Sequence, residues 1–158
     1  MIQRQRQTPE QAFQKIKHYC AYQERCHQEA KEKLYSLGLG KKDVEELIAR
    51  LIEENYLNEE RYAIQFAGGR FRMKQWGRVK IRYELKQRQI GEYNIKKALA
   101  AIPGDDYEKT LDRLVERKAG TLQEEENPFA RQRKLQDYLM QKGYEPDLIQ
   151  AVIKKLPS

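Results

Sequence analysis

The basic residues of this chain are concentrated in one segment, residues 69–88, which reads GRFRMKQWGRVKIRYELKQR. It holds eight cations and a single acid, Glu84, whereas the whole chain carries a formal net charge of +7. Such a segment suits a polyanion or an acidic protein surface as its partner. The alternative interpretation is a solvated helix face that binds nothing.

The spacing of these cations predicts one basic stripe on a helix of residues 78–88. Arg78, Arg82 and Lys86 recur every four residues and therefore share a face. An apolar seam of the same period, residues 81 and 85, lies beside that face. We predict that the partner is contacted by the stripe, by the cations before it and by the single tryptophan, namely Arg70, Arg72, Lys74, Trp76, Arg78, Arg82 and Lys86.

Three residues of the segment have a second interpretation. Trp76 is either an anchor for the partner or a structural wedge at the joint before Gly77, and we favour the wedge. Lys80 and Arg88 point away from the stripe, and their spacing suits ion pairs with Glu84 on the same helix.

The chain shows no arrangement of residues that predicts catalysis. His18 and His27 have no serine or acid at the spacing of a catalytic triad. Gly68-Gly69 lacks the lysine of a nucleotide-binding loop, and we expect a kink or a close helix contact there. We therefore predict that the protein is not an enzyme and uses no cofactor.

The two cysteines match neither a zinc motif nor a disulfide. Cys20 and Cys26 do not have the spacing of paired zinc ligands. On one helix their Cα atoms would lie about 9 Å apart along the axis, which is too far for a disulfide. We expect reduced thiols and no bound metal, as in a cytoplasmic protein.

The composition indicates a polar, helical protein. The chain has 158 residues, of which 39% are hydrophobic and 35% charged, and its mean hydropathy is −0.96. No apolar run approaches the roughly 18 residues of a membrane span, and the first ten residues lack the apolar core of a secretion signal. We expect a cytoplasmic protein with no membrane contact.

Apolar periodicity and capping residues predict a series of helices. The first begins with Thr8 as its cap and Pro9 as its first residue, and a later one ends at Pro103-Gly104. Tyr62 and Phe66 are predicted to be core residues. The predicted helices cover residues 9–25, 28–36, 43 onward, 58–75, 78–88, 92–101, 105 onward, 128–142 and 146 onward, with a loop at 120–127.

The apolar pattern repeats three times along the chain without a gap. The offsets are 51 and 54 residues, and the matched sets are Leu34/Leu85/Leu139, Leu39/Ile90/Tyr144, Val44/Ile95/Ile149, Leu47/Ala98/Val152, Ile48/Leu99/Ile153 and Leu51/Ile102/Leu156. This predicts an all-α protein, an elongated, curved array of three tandem three-helix repeats. The predicted division is a tail of residues 1–8 and repeats of residues 9–57, 58–104 and 105–158.

Two segments resemble the RecX family of recombinase regulators. The first is Leu57–Ala63, followed by Phe66, the basic run with Gly77, and then Ile81 and Glu84-Leu85. The second is Arg25-Cys26-His27, leading through Lys33-Leu34 to Gly38. The family usually has His-Ser and Glu-Leu in the second segment, where this chain has Gln28 and Lys33.

This resemblance implies a partner and a role that composition and periodicity do not. It implies an all-helical, monomeric, non-enzymatic modulator of RecA that binds in the groove of the RecA–DNA filament. There it would restrain filament growth, strand exchange and ATP hydrolysis, and it would bind single- and double-stranded DNA weakly and without sequence specificity. The alternatives are a stand-alone helix-turn-helix-like DNA-binding protein and a scaffold that binds neither partner.

Overall fold

The structure is a computed structural model that describes residues 7–156. Most of the predicted tail, residues 1–6, lies outside this range. Within it the chain forms nine helices, with bounds α1 Pro9–Tyr22, α2 His27–Ser36, α3 Lys41–Glu53, α4 Glu59–Lys74, α5 Arg78–Gln87, α6 Glu92–Ala100, α7 Gly104–Thr121, α8 Pro128–Lys142 and α9 Pro146–Lys154. The predicted all-α tandem-repeat class is confirmed, with α1–α3, α4–α6 and α7–α9 as the first, second and third repeats. The residue boundaries of the repeats stay a prediction.

The first helix begins at the capping residue that the sequence predicted. The Thr8 hydroxyl accepts the amide of Gln11 at 3.2 Å, and the Gln11 side chain accepts the amide of Thr8 at 3.1 Å. This reciprocal pair satisfies two amides that would otherwise lack a partner. Gly38 and Gly143 end their helices with φ of 91° and 93°, a conformation that glycine adopts without steric cost.

Two predicted helix ends were wrong. The helix α1 stops at Tyr22, three residues early, because Arg25 folds back onto Tyr19: its Nε donates to the Tyr19 carbonyl at 3.0 Å and its guanidinium stacks on the ring. The helix α7 continues through Gly120 to Thr121, whose hydroxyl donates to the Lys118 carbonyl at 2.7 Å and so closes an extra turn. The loop therefore begins after Thr121, two residues later than predicted.

The glycine pair of α4 is neither a kink nor a contact between helices. Both residues lie inside the helix Glu59–Lys74. A side chain on Gly69 would meet nothing within 4 Å, and the atoms nearest to one on Gly68 belong to the guanidinium of Arg72, one turn further along the same helix. The sequence prediction was wrong here, because glycine inside a helix need not mark a special backbone.

The repeated apolar positions form the core. Of the eighteen residues in the six matched sets, only Leu156 is not classed as buried. They divide into two clusters. The first repeat has its own cluster, which Leu57 completes, whereas the second and third repeats share a single cluster. Cys26 of the first repeat belongs to that shared cluster and so ties the first repeat to the second.

The described residues contain neither a membrane-spanning helix nor a disulfide. None of the helices between residues 7 and 156 has the length and apolarity needed to cross a bilayer. Cys20 and Cys26 are both buried, and neither forms a disulfide. Burial raises the pKa of Cys20 to about 11, against the opposing effect of nearby Arg25, so the thiol stays protonated and unreactive near neutral pH.

Candidate polyanion-binding surface

The joint between α4 and α5 folds Trp76 back onto the second repeat. Gln75 follows the end of α4 in a left-handed conformation, with φ of 54°, and its amide donates to the Phe71 carbonyl at 2.9 Å. The chain therefore turns sharply and brings the indole edge-on to Phe66, with ring centroids 6.4 Å apart. Trp76 is half-buried against the shared core, which favours the predicted wedge without removing the indole from solvent.

Four cations surround these two rings and form what we call the cation–aromatic cluster. Its members are Phe66, Arg70, Lys74, Trp76, Lys80 and Arg88. The Arg70 guanidinium lies 4.7 Å from the Phe66 centroid and 5.5 Å from that of Trp76. The Lys74 and Lys80 ammonium groups lie 5.5 Å and 4.6 Å from the Trp76 centroid. Each such contact contributes about 0.5–1 kcal/mol at an exposed site.

Most of this charge has no internal counter-ion. Arg88 also lies over the Phe66 ring, and it pairs with Glu84 at 2.9 Å as the sequence predicted. Within residues 7–156, Arg70, Lys74 and Lys80 form no ion pair with a carboxylate. The Nε of Arg70 is buried without a hydrogen-bond partner. The cluster can therefore accept phosphate or carboxylate groups from a partner.

Arg78 lies in the junction between the second and third repeats. Its guanidinium stacks on Tyr107 of α7 at 3.8 Å from the ring centroid and contacts Glu145, just before α9, at 2.9 Å. The Tyr107 hydroxyl donates to the same carboxylate. Burial and that hydrogen bond raise the pKa of Tyr107. Arg78 thus has an internal role that the sequence analysis did not identify.

The remaining predicted contacts are separated from the cluster. Arg82 and Lys86 share the predicted stripe, but both contact Glu92 at the start of α6, Lys86 at 3.9 Å. The hydrogen bond from Arg82 is the main reason that the pKa of Glu92 is lowered. Arg72 lies across α4 from the cluster and lines a groove against α7. Of the seven predicted residues, only Arg70, Lys74 and Trp76 belong to the cation–aromatic cluster.

Phe66, Lys80 and Arg88 belong to the cluster but were absent from the predicted contact set. From the sequence, Phe66 was predicted to lie in the core and Lys80 to form an ion pair with Glu84. Lys80 instead lies over the indole. For Phe66 a signal was available in the sequence, because Phe66 and Arg70 have the four-residue spacing that brings side chains together on a helix. Trp76 lies in the joint outside both helices, so no helical spacing predicts the contact between Lys80 and the indole.

The third repeat covers the start of α5 and fixes its direction. The amide of Gly77 donates to the Lys142 carbonyl at 2.7 Å, and that of Val79 donates to the Gly143 carbonyl at 2.8 Å. The amide of Arg78 donates to the Tyr107 hydroxyl at 3.0 Å. These partners satisfy amides that a helix start leaves free. The end of α8 is thus the cap of α5, which no local pattern in the sequence predicts.

A groove of about 680 Å³ separates the cluster from the first repeat. Both repeats contribute to its lining, the second with Phe66, Arg70, Met73 and Arg88, and the first with Glu24, Glu29 and Glu32. Glu24 is held by Arg61 of α4 at 2.5 Å. Because the first-repeat side is acidic, a polyanion approaching the cluster is favoured on the Lys74–Lys80 side.

The described part of the chain offers no group of three or more His, Cys, Asp or Glu side chains arranged to hold a metal ion. His27 is half-buried at the start of α2, where burial lowers its pKa. The groups brought together at this surface are cations and aromatic rings, which are binding groups and not catalytic ones.

Family models match the second and third repeats. Residues 58–99 match the model described as RecX, second three-helix domain, and residues 105–153 match RecX, third three-helix domain. Together the two matches cover more than half of the chain. They fall on α4–α6 and α7–α9, the repeats that share one core.

Individual relatives and solved structures carry the same description. The Regulatory protein RecX of Bacillus cytotoxicus is 30% identical over 138 residues, which are 87% of this chain and 51% of that protein. That of Clostridium perfringens strain 13 is 30% identical over 129 residues, 81% of this chain and 60% of that protein. The chain thus spans about half to three-fifths of the length of these relatives.

The fold is shared with a crystal structure of RecX from Lactobacillus salivarius. The TM-score is 0.83 at 23% identity, and the match covers 94% of this chain and 96% of that one. A second crystal structure of regulatory protein RecX gives the same TM-score at 22% identity. At these identities the likeness establishes the arrangement of helices.

Proposed function

Because the chain belongs to the RecX family, we propose that it regulates the RecA recombinase in homologous recombination, DNA repair and the SOS response. In this proposal it binds in the groove of the RecA–DNA filament and restrains filament growth, strand exchange and ATP hydrolysis. It acts in the cytoplasm as a monomer and catalyses no reaction. The name of the curated relatives supports a regulatory role.

The observation that carries the proposal is the cation–aromatic cluster. Arg70, Lys74 and Lys80 present charge that no carboxylate of the described residues neutralises, beside an indole that is half exposed. Positive groups of this kind suit a filament whose surface consists of acidic protein groups and DNA phosphates. Tryptophan and arginine are also the residues that most often dominate binding energy at protein interfaces.

The alternative, a sequence-reading DNA-binding protein, has less support. Helix-turn-helix proteins insert the start of a recognition helix into the major groove. Here the start of α5 is covered by the third repeat through Gly77. The start of α6 has Glu92, and its Asn94 amide is held by Glu59 at 2.6 Å. Arg78 at the start of α5 and Asn94 at the start of α6 are thus held by internal contacts and are not free to bind base edges.

The test is ATP hydrolysis by RecA on single-stranded DNA, with this protein titrated in. The variant is Lys74→Glu/Lys80→Glu, which reverses two charges of the cluster. Arg78 is left unchanged because it holds the repeat junction. The control is Lys15→Glu/Lys42→Glu, which makes the same charge change at exposed positions of the first repeat.

We expect wild type and control to suppress hydrolysis at substoichiometric amounts, and the cluster variant to need about tenfold more protein. Thermal unfolding of all three proteins checks that each is folded. If the wild type leaves hydrolysis unchanged, the proposed regulation of RecA is wrong. If the cluster variant suppresses hydrolysis as well as the control does, the regulation stands but its assignment to the cluster is wrong.

A further inference from the structure

A second basic surface lies on the opposite side of α4, where it faces the first helix of the third repeat. A helix turns by about 100° per residue, so Arg72 points away from Arg70 and Lys74. It lines a groove between α4 and α7 with a volume of about 240 Å³. Two more arginines, Arg113 and Arg117 of α7, line the same groove.

The groove is rigid at its base and charged at its rim. Phe71 and Leu114 lie at its base, with 6% and 3% of their surface exposed, and both belong to the shared core. Arg113 and Arg117 are four residues apart, so they project from consecutive turns about 6 Å apart along the helix. The three arginines therefore come from two repeats and are held on one packed base.

The guanidinium groups have few internal partners. Within residues 7–156, none of the three arginines forms an ion pair. Arg113 donates to the Lys109 carbonyl at 3.4 Å, and Asp106 is the single acid in the lining. Grouped like charges repel one another, and a bound anion relieves that repulsion. The groove thus carries a net charge of about +2 with donors available for a ligand.

We propose that this groove binds phosphate groups of a nucleic-acid backbone and so bridges the second and third repeats. The planar guanidinium donates two parallel hydrogen bonds to phosphate oxygens. The arginines of consecutive turns form a row, which suits successive phosphates of one strand. A protein partner is less suited, because the lining presents no exposed aromatic or aliphatic anchor of the kind that protein interfaces use.

The inference adds two residues, Arg113 and Arg117, to the basic surface predicted from the sequence. It rests on the proposed function only for the source of the DNA, which in the cell would be the strand within the RecA filament. The binding itself requires no recombinase. It can therefore be tested with the protein and DNA alone, and its failure is distinct from a failure of the RecA proposal.

The experiment measures binding of a fluorescein-labelled single-stranded oligonucleotide by anisotropy over a series of salt concentrations. The variant is Arg113→Gln/Arg117→Gln, and Arg72→Gln is made separately. The control is Arg133→Gln/Lys154→Gln, which removes the same charge from exposed positions outside the groove. Each phosphate contact to a single strand contributes about 0.7 to the slope of log affinity against log salt.

We expect the double variant to lower the magnitude of this slope by about 1.4, twice the single-contact value, and the Arg72 variant to lower it by about half as much. The control should change it by less than half of the double variant's effect. Equal slopes for variant and control would overturn the proposal. A labelled acidic peptide serves as the probe for a protein partner. If Arg113→Gln/Arg117→Gln binds DNA normally but no longer binds this peptide, the proposal is also overturned.

Two further arms distinguish a nucleic-acid backbone from free phosphate. Inorganic phosphate and ATP are added as competitors at the lowest salt concentration. An unlabelled oligonucleotide is the reference competitor, and all competitor concentrations are expressed as phosphate. We expect inorganic phosphate and ATP to displace the labelled oligonucleotide only at phosphate concentrations about a hundredfold or more above that of the reference. Displacement at similar concentrations would assign the groove to small phosphate ligands and overturn the backbone proposal.

Discussion

The backbone of Gly77 in the second repeat lies directly against the backbone of Gly143 in the third. A Cβ atom on Gly77 would overlap the carbonyl of Gly143, and one on Gly143 would overlap Lys80. This approach allows the Gly77 amide to reach the Lys142 carbonyl at 2.7 Å. The two glycines therefore permit the contact that caps α5.

The first prediction is that Gly77→Ala destabilises the protein by about 2–3 kcal/mol. The added methyl group meets backbone atoms, which cannot move aside without separating the repeats, and overpacking of this kind costs about 1–3 kcal/mol. The control is Gly69→Ala, since a side chain there meets nothing within 4 Å. Inside a helix that change should stabilise by about 0.5–1 kcal/mol. Urea unfolding measures both, and a neutral Gly77 variant would contradict the packing argument.

The second prediction concerns Arg78 and separates it from the other cations of its stripe. Arg78→Ala should cost about 1–3 kcal/mol, because it removes the stacking on Tyr107 and leaves the partly buried Glu145 carboxylate without its cation. Arg82→Ala should cost much less, since its ion pair with Glu92 is at the surface. Urea unfolding in low and high salt gives both values, and equal losses would show that Arg78 does not stabilise the junction.

The fold could be predicted from the sequence because its signals are local. The apolar positions that recur at offsets of 51 and 54 residues are the residues of the core. The helix starts at Thr8, Asn58 and Asn127 follow from side chains that cap amides a few residues away. The errors at the ends of α1 and α7 come from interactions of Arg25 and Thr121 that propensity does not encode.

The candidate site was predicted less well because it depends on contacts between distant residues. The stripe of Arg78, Arg82 and Lys86 has the predicted helical spacing, but Glu145 binds the first of these cations from 67 residues away. Likewise, Arg72 joins Arg113 and Arg117 only when α4 packs on α7. Periodicity places residues on one helix face, whereas tertiary packing decides which faces meet.

The third prediction is that His27 makes stability depend on pH below its ordinary pKa. Burial is the main cause that lowers the pKa of His27, and Lys31 adds to it while Glu59 opposes it. The unfolded chain therefore binds a proton more readily than the folded one. The contribution of neutral His27 to the free energy of unfolding is fully present above a pH of about 6.5, the ordinary histidine pKa. This contribution is lost as the pH falls below that value.

Replacing His27 by glutamine should remove that loss. The free energy of unfolding measured at pH 7.5 and pH 5.5 should fall less in His27→Gln than in wild type, by at most about 1.4 kcal/mol for each pH unit. His18, exposed on α1, provides the control for losing a histidine. If the His27 and His18 variants show the same pH dependence as wild type, burial of the imidazole does not affect stability.

The fourth prediction is that the second and third repeats unfold together and the first repeat unfolds separately. The residues of α4–α9 form one core, whereas α1–α3 enclose their own, and cooperative units follow such contiguous cores. Native-state hydrogen exchange should therefore show one free energy of opening for buried amides of α5 and α8 and a different one for those of α3. Gly77→Ala should lower the free energy of opening in α5 and α8. It should leave that of α3 unchanged within about 0.5 kcal/mol, since distant sites act independently. Equal loss of protection in α3 would mean that Cys26 and the Arg61–Glu24 ion pair couple all three repeats into one unit.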